Sequence, residues 1–303
     1  MKVGELSPRD VQRLLGGSGL RIGTGPFGCR LQTTIPAVAP ELHRLYAHHE
    51  VLPSSAFIDF HVKVEPTGGL RRWIRPQVLF SVDEVHPFTP LPQAQAMPML
   101  EWGMNWCVTA YCHHLLVLHA ATVARGQHAL ILPAPPGSGK STLCAALVNR
   151  GWRLLSDELT LVDLRDGRIH ALARPVNLKN QSIGVIRRFA PDAFLSKPVH
   201  DTTKGTVAMM APTAESVAQA HEPAWARWVV LPRWRAKAET RLDPLQPGET
   251  FLHLADNAMN YHILAERGFQ AVGGMIDRAE GFQFEYSDLD EAMATFDALE
   301  ARA

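Results

Sequence analysis

The sequence predicts an α/β protein: a phosphate-binding-loop core on a mixed sheet, preceded by a small, mainly β N-terminal region. Three observations carry this. Residues 129–142 read Ala-Leu-Ile-Leu-Pro-Ala-Pro-Pro-Gly-Ser-Gly-Lys-Ser-Thr, an apolar run that breaks into a glycine-containing loop ending in Gly-Lys-Ser. From Leu115 onward, short apolar runs of strand length alternate with helical patterns. Before residue 98, extended segments dominate and no catalytic motif appears.

Elements follow in order. Residues 1–18 predict a short helix with Ser7 as N-cap and Pro8 at its first position, stopped by Gly16-Gly17. Residues 57–64 alternate from Ile58 onward. Gly68-Gly69 turns into Leu70-Arg-Arg-Trp-Ile-Arg, and Val78-Leu-Phe-Ser-Val follows, each a strand. Prolines at 87, 90, 92 and 98 mark a linker, dividing a recognition or docking region (1–98) from the domain that holds the phosphate loop (99–303). Met99 to His114 predicts a helix with Leu100, Met104, Cys107 and Tyr111 on one face. Leu115 to Ala124 reads as one buried strand, and Arg125-Gly-Gln turns into the strand that feeds the loop. A helix from Lys140 to about Arg150 closes at Gly151. Arg153 to Asp163 reads as a strand with two carboxylates near its middle, and Asp166-Gly167 turns into another, to Arg174. Residues 180–221 are polar and mixed. Ala226 to Pro232 is a late core strand, followed by helices at Glu249–Glu266 and Asp288–Ala301 around a β segment at Phe282–Tyr286.

Composition narrows the function classes. Lysine plus arginine equals aspartate plus glutamate, 30 each, so no global basic field recruits nucleic acid or an anionic membrane. The four cysteines show no disulfide-framework spacing, the first residues lack a signal-peptide apolar region, and no apolar run approaches the roughly 18 residues that span a bilayer. These features predict a reduced, cytoplasmic protein. Fourteen histidines predict a response to pH between 5 and 7.

The loop carries the chemistry. Ala134, Pro135, Pro136, Gly137, Ser138, Gly139, Lys140, Ser141 and Thr142 form the predicted nucleotide-binding segment, with backbone N–H groups turned inward and a helix N-terminus at the phosphates. Lys140 reaches the β- and γ-phosphates and the Ser141 hydroxyl holds Mg2+. Ala134 stands where the pattern asks for glycine, and its small side chain keeps bulk out of the turn.

From His119 to about Val162 the chain resembles the HPr kinase/phosphorylase family, especially the HPr-kinase-related kinases of bacterial peptide-modification gene clusters. Leu118-His119-Ala-Ala-Thr-Val, the loop Pro136-Gly-Ser-Gly-Lys-Ser and Gly151-Trp-Arg-Leu-Leu-Ser-Asp157-Glu158 carry the resemblance. Arg174-Pro-Val-Asn-Leu-Lys and Asp201-Thr-Thr-Lys-Gly-Thr-Val extend it to about residue 215. It implies a core sheet similar to that of HPr kinase and phosphoenolpyruvate carboxykinase, and an ATP- and Mg2+-dependent serine kinase. Asp157 is then the base that accepts the acceptor hydroxyl's proton, and His119 pairs with Asp157. Glu158 is the second metal candidate beside Ser141; on a regular strand it points to the opposite face from Asp157, so both serve one site only where the strand ends or bulges. Arg174, Lys179 and Lys204 are candidate contacts to the phosphoryl group or substrate, against the reading of an exposed surface lysine for Lys204. Two departures stand out: Thr142 replaces the family's glutamate, and no counterpart of its phosphorylase-linked C-terminal element is found.

Other signals carry less. Gly23-Thr-Gly-Pro-Phe-Gly28 lacks a following helix and reads as a turn into a strand. Cys107, Cys112, His113 and His114 fit no zinc framework. Trp225, Trp228 and Trp234, interleaved with arginines, read as core and rim. The expected partner is a peptide or small-protein acceptor, with neither nucleic acid nor membrane, and a homo-oligomer is open. Two further readings stay open: a nucleotide-binding scaffold subunit and a small-metabolite kinase.

Overall fold

A computed structural model describes residues 1–69, 74–135 and 137–302. The predicted strand at Leu70 and the loop residue Pro136 fall outside them, the strand for its first four residues.

The N-terminal region opens with helix α1 (Pro8–Gly16), where the Ser7 hydroxyl accepts the Asp10 N–H at 3.1 Å and Pro8 takes the first helical position. Strands β1 (Leu20–Thr24) and β2 (Phe27–Thr33) form a hairpin, so Gly23–Gly28 is indeed a turn. Gly25 there has φ +62°, and an added Cβ would lie 1.9 Å from the Ala171 carbonyl, so the position needs glycine twice over. After α2 (Val38–Leu45), strands β3 (Phe60–Pro66), β4 (Gln77–Val82) and β5 (Leu91–Pro92) complete a five-stranded sheet in order β1-β2-β3-β4-β5. Only the β2/β3 pair is parallel.

Helix α3 (Ala96–Tyr111) begins inside the proline-rich stretch and packs on this sheet. Gly103 sits so close to Phe80 that a Cβ would meet the ring at 1.9 Å. Leu100, Met104 and Cys107 are buried as expected; Tyr111, at the helix end, is 52 % exposed, which corrects its place on that face. The same apolar cluster reaches Leu115, Val117, Leu159 and Leu161, so the N-terminal region and the following core share one interior. Cys107 and Cys112 lie in that cluster, where burial pushes their thiols up to about 12 and about 11.

Beyond α3 come β6 (Leu115–Leu118), β7 (Ala120–Arg125), β8 (His128–Pro133), helix α4 (Lys140–Val148), β9 (Arg153–Ser156), β10 (Thr160–Asp163) and β11 (Ile169–His170). The mixed segment holds β12 (Val176–Lys179), α5 (Gln181–Phe189), the hairpin β13 (Val199–Thr202) and β14 (Gly205–Met210), and α6 (Ala214–Ala218). The chain ends with β15 (Trp225–Trp234), β16 (Arg241–Leu245), α7 (Pro247–Asp256), α8 (Tyr261–Leu264), α9 (Glu266–Ile276), β17 (Glu280–Tyr286) and α10 (Leu289–Glu300). The single helix expected over Glu249–Glu266 is therefore broken. Asn260 causes the break: its Oδ1 accepts the Val117 N–H at 3.0 Å and its Nδ2 donates to the Leu115 carbonyl at 2.8 Å, docking the turn on β6.

The architecture is mixed α/β. Six strands in order β16-β17-β15-β8-β7-β9 form the largest sheet, with β17, β15 and β8 mutually parallel and the rest antiparallel. Alternation along β8 supplies both faces: Leu130 and Leu132 pack toward α4 and α10, while Ala129 and Ile131 pack toward α7 and α9. Two antiparallel three-stranded sheets, β11-β10-β6 and β12-β14-β13, flank it. Among the described residues no helix is long and apolar enough to cross a membrane.

Candidate functional site

Two strands expected to be continuous are split, and the splits build the site. β6 pairs with β10 (Leu118 opposite Thr160), whereas β7 pairs with β9 (Thr122 opposite Ser156). The chain thus changes sheets at His119 on one strand line and at Asp157–Leu159 on its neighbour. Ser156 turns the second corner by accepting the Leu159 N–H at 3.0 Å, and the Thr122 and Thr160 hydroxyls bridge the corners at 2.6 Å. With regular strand ending at Ser156, alternation no longer separates Asp157 from Glu158.

The glycine loop leaves β8 beside these corners, at the carboxyl ends of the three parallel strands, where open α/β sheets keep their ligand crevice. Gly137 and Gly139 have φ +90° and +92°. The Ser138 carbonyl accepts the Trp234 N–H at 3.0 Å, and the Gly139 carbonyl accepts both the Tyr286 hydroxyl at 3.2 Å and the Leu143 N–H at 2.9 Å. A Cβ at Gly139 would lie 2.5 Å from the Tyr286 oxygen. The Ser138 N–H donates to the Pro135 carbonyl at 3.3 Å, which among the described residues leaves the N–H groups of Gly137 and Gly139, and the first-turn N–H groups of α4 at Lys140, Ser141 and Thr142, as the donors for a ligand. Trp234 and Tyr286 lie roughly 100 and 150 residues from the loop; in the sequence Trp234 stood out only among the tryptophans interleaved with arginines and Tyr286 only as the end of a predicted β segment, and neither pointed to the loop.

Lys140 is only 8 % exposed, and its Nζ donates to His119 Nε2 at 3.2 Å. Burial and the Lys140 charge bring His119 down to about 4, so the imidazole is neutral and accepts. This corrects the expected pairing of His119 with Asp157: the ring serves the lysine. Burial also lowers the Lys140 pKa, opposed by Asp157 and Glu158.

Asp157 is buried. Its Oδ2 accepts the Asn177 N–H at 3.0 Å, while Oδ1 has no hydrogen-bond partner. Burial, then the Glu158 charge, push its carboxyl up to about 6, with Lys140, the Asn177 N–H and the nearby Ser141 hydroxyl pulling the other way. Glu158 differs. Burial works to raise it, but Lys204, Lys179 and Lys140 outweigh burial and hold it below the usual carboxylate range. Lys204 lies at the tip of the β13–β14 hairpin, 3.8 Å from Glu158 Oε1 and 5.0 Å from the Trp102 ring centre, so it is paired rather than a free surface lysine. Glu158 Oε2 accepts from the Asn105 side-chain amide.

Arg174 is not available to a phosphoryl group, which corrects that expectation. Its Nη2 donates to Glu101 Oε2 at 2.7 Å and to the Glu101 carbonyl at 2.9 Å; Nη1 donates to Asn105 Oδ1 at 2.8 Å, and Nε lies 3.4 Å from the Tyr46 hydroxyl. Burial opposes its charge, but Glu101 and Tyr46 together outweigh burial and keep the guanidinium ionised. Lys179, Lys140 and Lys204 remain as the site's ammonium groups. A cavity of about 20 Å³ among Trp102, Asn105, Asp157, Glu158 and Asn177 has room for one water. A larger cleft of about 440 Å³ beside His49, Glu50 and His221 shares no residue with it.

The arrangement combines N–H groups at a loop and helix N-terminus, a buried lysine and a carboxylate with a free oxygen. For a divalent cation, the Ser141 hydroxyl is the oxygen donor at the start of α4, while Glu158 is already held by Asn105 and Lys204. Among the described residues no group of three or more His, Cys, Asp or Glu side chains forms a metal cage. A Mg2+ ion here would take its other ligands from phosphates and water. Compared with known proteins, the chain matches no family model and no curated sequence.

Proposed function

We propose that this chain is an ATP- and Mg2+-dependent phosphotransferase with a P-loop kinase core of the HPr-kinase-like kind, moving the γ-phosphoryl group to the hydroxyl of a serine on a small protein or peptide. One observation carries the reading. Lys140 is drawn into the interior at the start of α4, held by a neutral histidine, and faces two carboxylates without an ion pair to either among the described residues. A buried ammonium kept free in this way is matched to an anion that arrives from outside, and phosphates fit the adjacent N–H groups.

In this reading the loop N–H groups and Lys140 bind and orient the triphosphate, and Lys179 adds positive charge where the transferring group spreads its own. Asp157 takes the acceptor hydroxyl's proton at Oδ1, the oxygen left unpartnered. The Ser141 hydroxyl would hold Mg2+, which would neutralise phosphate charge when bound. Trp234 and Tyr286 keep the loop's carbonyls turned away from the ligand.

The test is incubation of the protein with γ-labelled ATP, Mg2+ and extract of its own organism. Label on a serine of a small protein or peptide is the expected result. Label on a metabolite would replace the acceptor class. ATP binding without transfer to any acceptor would replace the enzyme with a nucleotide-binding scaffold.

A further inference from the structure

Helix α3 belongs by packing to the N-terminal sheet, yet one of its polar side chains reaches the carboxylates. We propose that Asn105 is a positioning residue for phosphoryl transfer: it holds the Glu158 carboxylate away from Lys140 and so makes the seating of the N-terminal region a condition of catalysis. This rests on the phosphotransferase reading above.

The orientation of the Asn105 amide is dictated by chemistry. Arg174 can only donate, so the atom facing it is Oδ1. Nδ2 then faces Glu158, which as a carboxylate only accepts. Flipping the amide would set donor against donor and acceptor against acceptor. Arg174 is itself fixed by Glu101 and by Tyr46, whose hydroxyl donates to Glu101 Oε1. A chain of matched bonds thus runs from Tyr46, just after α2, through Glu101, Arg174 and Asn105 to Glu158, and ends at Lys204.

The consequence lies at Lys140. A carboxylate as close in the field as Glu158 competes with phosphate for that ammonium. Two contacts oppose it: Asn105 donates to Oε2 and the Lys204 ammonium lies 3.8 Å from Oε1, and Lys140 is left on a neutral histidine instead. Removing the Asn105 donor frees one oxygen of Glu158 to turn inward.

Asn105→Asp tests this, because it keeps the size and the acceptor toward Arg174 and replaces the donor toward Glu158 with a negative oxygen that repels it. The probe is MgATP with water as acceptor, read as phosphate release under single-turnover conditions, for wild type, Asn105→Asp, Glu158→Gln and the double variant. Asn105→Asp is expected to be at least tenfold slower than wild type, with the double variant no slower than Glu158→Gln alone. Losses that multiply would show that the two residues act independently and would overturn the proposal. Should Asn105→Asp not fold, Asn105→Ser takes its place in the same cycle. The second readout needs no activity: the side-chain amide proton of Asn105 in the NMR spectrum should shift on Glu158→Gln. A protein that hydrolyses nothing but shows this shift loses its catalytic reading and keeps the Asn105–Glu158 link; an unmoved amide overturns the link itself.

Discussion

Glu101→Ala is the sharpest test of how the two parts of the chain are joined. Arg174 is buried with four donor contacts, two of them to Glu101. Alanine deletes the carboxylate and leaves a buried guanidinium with a backbone carbonyl, an asparagine oxygen and a phenol. Breaking a buried pair from one side costs about 3–5 kcal/mol, because the remaining charge keeps its desolvation cost without its partner. Tyr46 also loses the acceptor for its hydroxyl, which adds about 1 kcal/mol. At roughly 2–4 °C per kcal/mol, the melting temperature should fall by about 8–24 °C. Urea unfolding followed by tryptophan fluorescence gives the free energy; Glu101→Gln, whose one amide oxygen can still accept from Arg174 while its NH2 faces the Tyr46 hydroxyl, should lose about half as much. A loss below about 1 kcal/mol for Glu101→Ala would refute the view that this pair clamps the N-terminal region to the core.

Three further outcomes follow from the same geometry. Lys140→Ala should weaken ATP binding in calorimetry by at least about tenfold, roughly 1.4 kcal/mol, with the fold intact; unchanged affinity would remove the loop from phosphate binding. Asp157 sits near 6 in the fold against an ordinary value near 3.8, so its ionisation opposes folding: stability is lost as pH rises from about 4 to 6 and stays lost above. Asp157→Asn should therefore be more stable than wild type at pH 7.5 by about 1–3 kcal/mol and equal to it at pH 3.5, measured by urea titration. Deleting residues 1–98 would bare the face of α3 that packs on Phe80 and remove Tyr46 from Arg174, so the shortened chain should aggregate; a soluble monomer by size exclusion would contradict the shared interior.

What the sequence made legible was whatever local chemistry decides. Ser7-Pro8 names a helix start, Gly25 a turn, and Gly-Lys-Ser a loop entering a helix, because each rests on backbone conformation or a side chain bonding its own neighbourhood. The sheet changes at His119 and Asp157 were hidden, since apolar runs on either side continue unbroken and only the choice of pairing partner divides them. His119 was likewise visible as a polar residue in an apolar stretch, but whether it met Asp157 or Lys140 depended on where that division fell. Asn105, Glu101 and Trp102 gave no motif at all. They matter because a helix that follows the proline-rich stretch packs backward onto the N-terminal sheet and brings its polar edge to the carboxylates. Arg174 shows the converse: a conspicuous arginine near a kinase-like block was spent on an ion pair that only the fold reveals.

The most direct test of the central claim compares wild type and Asp157→Asn in single-turnover phosphoryl transfer from saturating MgATP to the labelled acceptor. The substitution keeps size and polarity, leaves the loop and Lys140 in place, and removes only the capacity to take a proton. The account predicts transfer slowed by about 10²–10⁴-fold with ATP affinity little changed. Equal rates for the two proteins would contradict it.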